Sequence, residues 1–576
     1  MKTKKNNTLK ETTASWKTLF KFYRKVKLPW GWLLVVFLMS FAVKEAQSLL
    51  VPYASAIQTG AIDKAGFLAG FVLMTIFYNL TEAIQGSVNE FCGVVTARNV
   101  RHSVWHKLIH LPMKVFQKED PQRFVSRVTQ DTTGAYAAVA CVIQLWSIIY
   151  GIYTNFARMY KIYHELALIM LSAIPMTILV SWACGKLQFS MERITNSAYA
   201  AITNFFGERL PNLLHIKTCS MEDAEYRKGI EANEAKYRAD VRRENRFIFS
   251  GPLGTMAQYV NQIILLVVAS ALVRSGDMKM YQMVNLYNYF LLFMANTFMI
   301  TAVWQNLKLS HGACSTIAQL MEMEDEKLDG STPVEAESKD IVFENVSFAY
   351  NEDAPVLKGV SFVIPQGKVT AIVGENGSGK STIIKLLERF NDPTAGTIRL
   401  GDADLLDVNL QQWRDAVGYL SQNNQMVKGS LRENICYGLD RDCTDEELIE
   451  AAKQACAYDF ITSKEEGFDA QISQFDTKLS GGELQRLAIA RIILKQPQYL
   501  IMDEATSGID VVSEAEVLQG LNSLMENKTV IMVSHDLNLI KKADHIVVLN
   551  DGVIEASGNY EHVMKNSAFF NELVAV

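Results

Sequence analysis

The stretch Val369-Thr-Ala-Ile-Val-Gly-Glu-Asn-Gly-Ser-Gly-Lys-Ser-Thr-Ile-Ile-Lys-Leu-Leu387 decides the fold of the second half of the chain. An apolar run, the pattern G-x-x-x-x-G-K-S and a helical repeat predict a strand, a phosphate-binding loop and a helix. Glycines let backbone N–H groups turn toward phosphates, and the helix N-terminus adds its positive end. We expect Lys380 to reach the β- and γ-phosphates of ATP and Ser381 to ligate Mg²⁺. The other predicted phosphate-binding residues are Gly374, Glu375, Asn376, Gly377, Ser378, Gly379 and Thr382.

Two further apolar runs, residues 499–502 and 530–533, are each followed by polar side chains. The first delivers Asp503 and Glu504, and the second delivers His535. Because ligands bind at the carboxyl ends of parallel strands, we expect these side chains to meet the phosphate loop. Asp503 would hold the Mg²⁺ shell through water, Glu504 would polarise the attacking water, and His535 would sense the γ-phosphate. Taken alone, an Asp-Glu pair is also typical of a helix cap, and a single histidine is often structural.

Composition divides the 576-residue chain into two parts. Hydrophobic residues make up 49% and charged residues 20%, which excludes disordered, collagen-like and disulfide-scaffold classes. The formal net charge is −6, so no nucleic-acid partner is expected. The eight cysteines contain no C-x-x-C pair, and neither a zinc site nor a disulfide framework is predicted. Apolar stretches end near residue 310, and the remainder has the composition of a soluble α/β domain.

Six membrane spans are predicted near residues 31–57, 66–88, 137–158, 164–185, 252–273 and 283–305, each close to the ~20 residues that a bilayer requires. Residues 1–28 hold nine Lys or Arg and one acidic residue, and their apolar positions predict an interfacial amphipathic helix. Two long charged segments, 89–136 and 186–251, separate the spans. Since basic residues favour the cytoplasm, both termini and both segments are predicted to lie there.

Polar side chains inside the predicted spans have two interpretations. Lys44 and Glu45 lie near the middle of the first span, and Asn288 lies in the sixth. Charge at membrane depth usually faces a cavity or another charge, so these residues either line a substrate path or form interhelical pairs. Phe290 and Met294 in the sixth span suit either an amphipathic cargo or ordinary packing.

The segment Leu479-Ser-Gly-Gly-Glu483 supplies the family resemblance. With the phosphate loop, the Asp-Glu pair and the later histidine, it makes the whole chain resemble a half-size ATP-binding-cassette (ABC) exporter. The resemblance implies an α-helical six-span transmembrane domain followed by an α/β P-loop nucleotide-binding domain. The implied divisions are a cytoplasmic N-terminus with an interfacial helix (1–28), a transmembrane domain with two long cytoplasmic extensions (29–321), a linker (322–338) and the nucleotide-binding domain (339–576).

The resemblance also assigns roles in the nucleotide site. Tyr350 matches the aromatic residue that stacks on adenine, and Gln422 matches the glutamine that links Mg²⁺ and the attacking water to the membrane domain. His535 matches the switch histidine, and Asp510 lies in the loop that crosses the dimer interface. The signature residues that would close over the ATP of the opposite chain are Ser480, Gly481 and Gly482.

Two short turns, near residues 112–122 and 214–224, match the helices that dock on nucleotide-binding domains, the second on the opposite chain. One departure is that residues 473–476 read Ser-Gln-Phe-Asp where such exporters usually carry Gly-Glu-x-Gly. No catalytic position of the family is missing, which favours two working sites in a dimer of this chain.

The function implied by the resemblance is ATP-driven export of an amphipathic peptide, lipid or drug-like substrate. It would proceed by alternating access in a homodimer, in a cell membrane of bacterial type. Three alternatives stay open: import of metal–chelator complexes on the same fold, one half of a heterodimer, and an ATP-gated channel or regulator. The presence of Glu504 and His535 favours a transporter that hydrolyses ATP in every cycle over a gated channel or regulator.

Overall fold

The computed structural model describes residues 16–59, 65–117, 131–335, 337–351, 354–422, 424–439, 441–472, 479–504, 511–534 and 536–575. The chain divides into two compact units. Unit 1 comprises Met1–Ile109 and Pro121–Met323, and unit 2 comprises His110–Asp120 and Glu324–Val576. The first predicted cytoplasmic turn, at 112–122, therefore falls largely in unit 2, although the sequence boundaries had grouped it with the transmembrane domain.

Long helices build unit 1. In chain order, the helices of the described residues before 323 are α1 (Trp16–Lys25), α2 (Trp30–Gln58), α3 (Ala65–Ile109), α4 (Met113–Phe116, in unit 2), α5 (Asp131–Ile162), α6 (His164–Leu171), α7 (Ala173–Arg209), α8 (Leu213–Thr218), α9 (Glu222–Ser275) and α10 (Met280–Glu322).

Four of these helices contain a stretch that is long and apolar enough to cross a membrane. The stretches are Trp30–Gln58, Phe67–Ile109, Gly134–Ile162 and Met280–Lys308. The predicted fourth and fifth spans fall on α6–α7 and α9, whose apolar stretches, His164–Thr177 and Tyr259–Ser275, are shorter. Within the described residues the helical membrane domain is thus confirmed, but the count of six spans is not.

The core of unit 1 lies where α10 packs against α5, α6 and α9. Phe290, Phe293 and Met294 are fully buried there, together with Leu166 and Leu265. Between helices surrounded by lipid, close packing rather than exclusion of water holds such a cluster together. The burial of Phe290, Phe293 and Met294 therefore favours ordinary packing over contact with an amphipathic cargo.

Unit 2 is an α/β domain. Its strands are β1 (Ile341–Asn351), β2 (Ala354–Ile364), β3 (Val369–Gly374), β4 (Ala395–Leu400), β5 (Ala403–Asp404), β6 (Val417–Leu420), β7 (Gly429–Ser430), β8 (Gln471–Ile472), β9 (Tyr499–Asp503), β10 (Thr529–Val533), β11 (His545–Asn550) and β12 (Val553–Gly558). Its helices after α4 are α11 (Lys380–Leu387), α12 (Leu410–Ala416), α13 (Leu431–Ile435), α14 (Asp445–Gln454), α15 (Tyr458–Thr462), a 3₁₀ turn (Gly467–Asp469), α16 (Gly481–Lys495), α17 (Val511–Met525), α18 (Leu537–Lys541), α19 (Tyr560–Asn566) and α20 (Ala568–Ala575).

The main sheet of unit 2 has the strand order β12-β11-β3-β10-β9-β6, and all its neighbours are parallel except β12 with β11. A second, antiparallel sheet has the order β2-β1-β4-β5, with Ile341 opposite Ile364. Strands β7 and β8 form a third, two-stranded sheet.

Both faces of the main sheet are buried because successive residues of each strand point to opposite sides. On β3, Ala371 and Val373 join one apolar cluster and Ile372 joins the other. One cluster includes residues of α14 and α16, and the other includes residues of β1, β2 and α11. This double burial explains the continuous apolar runs of β3, β9 and β10.

Candidate functional site

The carboxyl ends of four parallel strands meet at one edge of the main sheet. Val533 pairs with Asp503 on one side and with Ile372 on the other, so β3, β9 and β10 end level with each other. Gln422 follows β6, the neighbour of β9. The structure thus brings the phosphate loop, the Asp-Glu pair and Gln422 together.

The phosphate loop runs from Gly374 into the N-terminus of α11. Gly377 and Gly379 have φ values of +87° and +112°, which glycine adopts readily. A Cβ on Gly374 would lie 2.1 Å from the carbonyl oxygen of Leu549, so the close approach of β11 requires glycine there. The sequence therefore folds into a loop whose backbone can surround an anion.

The side chain of Lys380 folds back over the phosphate loop. It is 6% exposed, and its Nζ donates to the carbonyl oxygens of Gly374 and Glu375 at 2.8 Å each. Burial lowers the pKa of Lys380, while the charges of Glu504 and Asp503 oppose that change. The ammonium group is thus held between carbonyl oxygens and carboxylates, where a phosphate can replace the carbonyls.

Two adjacent carboxylates face this lysine. Burial raises the pKa of Asp503, and the charge of Glu504 raises it further, whereas Lys380 and Lys385 lower it. A divalent cation at this edge would favour the ionised form of Asp503, because an opposite charge stabilises a carboxylate.

Glu504 has an unusual backbone conformation. Its φ is +49°, in the left-handed region that costs a residue with a Cβ about 1–2 kcal/mol. The amide of Glu504 donates to the carbonyl of Val533 at 2.9 Å, and Gln422 Nε2 donates to Glu504 Oε2 at 2.9 Å. These contacts hold the carboxylate at the strand edge, beside the phosphate loop.

Tyr350 lies near the end of β1 and is 41% exposed. Phe348 packs edge-on against its ring, with centroids 4.9 Å apart. Its hydroxyl lies 3.5 Å from Thr382 Oγ1 and accepts a hydrogen bond from Lys385 Nζ at 3.3 Å. These polar contacts therefore link the ring of Tyr350 to α11, the helix that begins at the phosphate loop.

Ser480 caps the 15-residue helix α16. Its Oγ accepts from the amide of Glu483 at 3.2 Å, and its own amide donates to Glu483 Oε2 at 2.7 Å. Ser480 and Gly481 are exposed, and Gly482 is buried. The helix N-terminus thus presents its positive end at the surface of unit 2.

Some predicted positions cannot be placed. His535, Asp510 and the unusual segment 473–476 lie outside the described residues. Their roles stay predictions from the sequence.

A groove beside Gln422 was not predicted from the sequence. It has a volume of about 420 Å³, and its lining includes Tyr419, Arg491 and Ile492. These residues come from β6 and α16, which are far apart in sequence, and no local pattern connects them. Lys385 was also missed, although it follows Ser381 by four residues and so lies on the same side of α11.

In unit 1, the intramembrane charges form pairs. Glu45 on α2 forms an ion pair with Arg158 on α5, and Tyr150 donates to Glu45 at 3.3 Å. Nearby, Ser48 donates to Asn155 at 3.0 Å, and both side chains are buried. We call these five residues the polar seam. For Glu45 the interhelical pair is thus observed.

The other two predicted substrate-path residues also have partners. Lys44 lies within electrostatic reach of Glu82 on α3, and Asn288 donates to Gln58 at 3.1 Å. A substrate-contacting role for these residues stays a prediction.

The residues present fit ATP with Mg²⁺. Among the described residues, the Ser378 hydroxyl oxygen, which is buried at the phosphate loop, has no hydrogen-bond partner, and a phosphate oxygen would satisfy it. Hydroxyl, amide and carboxylate oxygens are the ligands that Mg²⁺ prefers. Ser381 and Gln422 would hold the ion directly and Asp503 through water.

Comparison with known proteins supports this interpretation. Residues 357–507 match the family model described as "ABC transporter", and residues 32–297 match that of the "ABC transporter transmembrane region". A multidrug resistance ABC transporter ATP-binding and permease protein of Lactococcus lactis subsp. lactis is 28% identical over 88% of this chain and 87% of its own length. An ATP-dependent lipid A-core flippase of Vibrio parahaemolyticus is 28% identical over 98% of each chain. A bacterial Atm1-family ABC exporter solved with ATP bound superposes with a TM-score of 0.83, at 22% identity, over 94% of this chain and 97% of the other.

Membrane-crossing helices fused to an α/β unit with a complete phosphate loop define an ATP-hydrolysing membrane transporter. The two matched regions lie one in each part of the chain, the transmembrane region before the nucleotide-binding region. The chain belongs to the ABC transporter family, and it is a multi-pass membrane protein with the fold of an exporter.

Proposed function

We propose that this protein exports an amphipathic substrate across a bacterial plasma membrane, driven by ATP hydrolysis in a homodimer. The observation that carries the proposal is the hydrogen bond between Gln422 and Glu504 beside the Lys380 loop. It places the predicted base and its partner at the same sheet edge as the phosphate-binding residues. We therefore propose that one chain supplies the phosphate loop, Glu504 and Gln422 to its half of a hydrolytic site.

The chemistry follows from these positions. Lys380 exchanges its bonds to the loop carbonyls for bonds to the β- and γ-phosphates. Water attacks the γ-phosphorus and gives a proton to Glu504, while the bond from the γ-phosphorus to the β,γ-bridging oxygen breaks and ADP leaves with that electron pair. Mg²⁺ supplies charge neutralisation on the phosphate oxygens. Gln422 leaves Glu504 as the site fills, so that the carboxylate turns from an amide partner to the water.

Two exposed features support assembly with a second copy. The first is the capped N-terminus of α16 at Ser480, which is exposed at the surface of unit 2. The second is the short helix α8, where Leu213 and Leu214 are 48% and 78% exposed. We propose that Ser480 closes over the ATP of the partner chain, and that the tip at α8 docks into the partner's groove of about 420 Å³.

Export, rather than import, agrees with the relatives. One relative is named for multidrug resistance and another as a lipid A-core flippase, so drugs and a lipid are the compounds in their names. We propose a substrate of that character, with both termini in the cytoplasm. Transport follows from alternation between two packings, in which ATP binding favours one and hydrolysis the other.

The test of export uses proteoliposomes that contain the full-length protein. A panel of cationic amphiphilic dyes and fluorescent short-chain lipids is added with Mg²⁺ and ATP, and both ATP hydrolysis and movement of each probe are measured. We expect at least one probe to stimulate hydrolysis and to move away from the face that carries the nucleotide-binding domains. Glu504→Gln is the matched control. Stimulation without movement of any probe would favour a gated channel or regulator.

The test of the shared site uses a mixed dimer in which one chain carries Lys380→Ala and the other Ser480→Arg. Both chains also carry Glu504→Gln to prevent turnover. If ATP lies between the two chains, both lesions fall in one site, and the other site traps one nucleotide per dimer. If each site is built within one chain, both sites are damaged and trapping falls to zero, which would contradict the proposed dimer.

A further inference from the structure

Lys385 is a charged residue of the nucleotide site. The sequence motifs and the proposed mechanism assign it no role. It lies on α11, four residues after Ser381, and is partly buried. Its Nζ donates to the hydroxyl of Tyr350 at 3.3 Å. The same nitrogen lies 5.4 Å from the centroid of the Tyr350 ring. Because the oxygen is much closer than the centroid, the ammonium group approaches the hydroxyl end of the ring.

Tyr350 keeps exposed surface that a base can contact, since the residue is 41% exposed. Phe348 meets the ring edge-on, with an interplanar angle of 88°. Thr382, also on α11, lies 3.5 Å from the Tyr350 hydroxyl. The ring is therefore held by an aromatic neighbour on its own strand and by two polar groups on the helix that begins at the phosphate loop.

We propose that Lys385 is a positioning residue for adenine recognition. By holding the hydroxyl of Tyr350, it fixes the orientation of the aromatic surface relative to the phosphate loop, so that base and triphosphate bind as one rigid unit. A side chain that is already fixed loses less conformational freedom when the ligand binds. The inference rests on the proposed role of Tyr350 as the adenine platform.

The test compares two ligands that share the phosphates but not the base. Binding of Mg·ATP and of Mg·tripolyphosphate to full-length protein is measured by calorimetry in the Glu504→Gln background. Lys385→Met is expected to weaken ATP binding about three- to tenfold, the range for loss of one hydrogen bond. Binding of tripolyphosphate should change by less than about twofold, because the proposed contact acts through the base. Lys385→Arg, which retains a donor, should bind ATP nearly as the parent does.

The matched control is Lys453→Met. Lys453 Nζ lies 5.3 Å from the ring centroid of Tyr458, a similar lysine–tyrosine contact elsewhere in unit 2. This variant should leave both ligands unaffected. Tyr350→Phe removes only the hydroxyl and should reproduce the effect of Lys385→Met, and the double variant should be no weaker than either single one.

The possible results separate the inference from the function on which it rests. Equal weakening of ATP and tripolyphosphate by Lys385→Met would show a direct charge effect on the phosphates and overturn the inference. Unchanged ATP binding in Lys385→Met together with weakened binding in Tyr350→Ala would overturn the inference alone. Unchanged ATP binding in Tyr350→Ala would overturn the adenine platform itself.

Discussion

Glu388 should make the stability of unit 2 depend on pH near neutrality. It follows α11 directly and is 6% exposed, and its Oε1 is buried with no hydrogen-bond partner in the part of the chain that the structure describes. The two nearby cations make their hydrogen bonds to other groups. Lys495 donates to the carbonyls of Arg414 and Val417. Arg414 forms an ion pair with Glu326 through two hydrogen bonds of 2.7 and 2.9 Å. Burial therefore dominates and raises the pKa of Glu388 to about 7, against an opposing effect of Lys495 and Arg414.

The sign and size of this pH dependence follow from the coupling between protonation of Glu388 and folding. The ordinary pKa of the group is 4.5, and its value in the folded protein is about 7. The protonated form is favoured in the folded state, so the contribution to stability is complete below pH 4.5 and is lost as the pH rises through 7. At about 1.4 kcal/mol per pKa unit, the difference amounts to about 3 kcal/mol. Glu388→Gln, which is neutral at every pH, should therefore be more stable than the parent at pH 8 by up to that amount.

The assay is thermal unfolding in detergent micelles between pH 5 and 8.5, followed by intrinsic fluorescence. At about 2–4 °C per kcal/mol for a domain of this size, the midpoint of Glu388→Gln should exceed that of the parent by several degrees at pH 8 and approach it at pH 5. Glu561→Gln, at an exposed glutamate, is the control and should follow the parent throughout. Parallel curves for Glu388→Gln and the parent would refute the reasoning.

Three further predictions follow from the site and the membrane unit. Glu504→Gln should lower ATP hydrolysis by about two to four orders of magnitude, the range for loss of a general base, while ATP stays bound; near-normal hydrolysis would disprove its role. Arg158→Gln should reduce the yield of folded protein, because it leaves the Glu45 carboxylate without its ion partner, and adding Glu45→Gln should restore the yield; equal yields of the single variant and the parent would contradict this. In a chain without its native cysteines, a cysteine at Asp277 should react with an impermeant maleimide outside intact cells and one at Glu222 only after permeabilisation; equal labelling would refute the predicted orientation.

The nucleotide site was predictable because its signals are local. The strand, loop and helix around Lys380 occupy fewer than twenty consecutive residues, and each part has its own pattern. The carboxyl-end rule then brought Asp503 to the same edge without any knowledge of strand order. The positive φ of Glu504 was not predictable, because no turn signal accompanies it.

Contacts between residues far apart in the chain could not be predicted from the sequence. Nothing in the pattern around Glu45 indicates Arg158, which lies on a different helix and becomes its partner only through helix packing. The surroundings of Glu388 depend likewise on packing, since Arg414 of α12 and Lys495 of α16 lie close enough to act on its charge. The span count stays a prediction: residues 252–273 lie within one long helix, Glu222–Ser275, whose described apolar stretch is Tyr259–Ser275.

The polar seam between α2 and α5 has a thermodynamic consequence that apolar packing would not have. Its groups, such as Ser48 and Asn155, satisfy each other's hydrogen bonds when the helices are together. If the two helices part into lipid, each group loses its partner and gains none, which is costly. If they part where water enters, each lost bond is replaced at little net cost. The surrounding medium therefore decides whether this contact can open, and the separation of α2 from α5 is coupled to the wetting of the bundle.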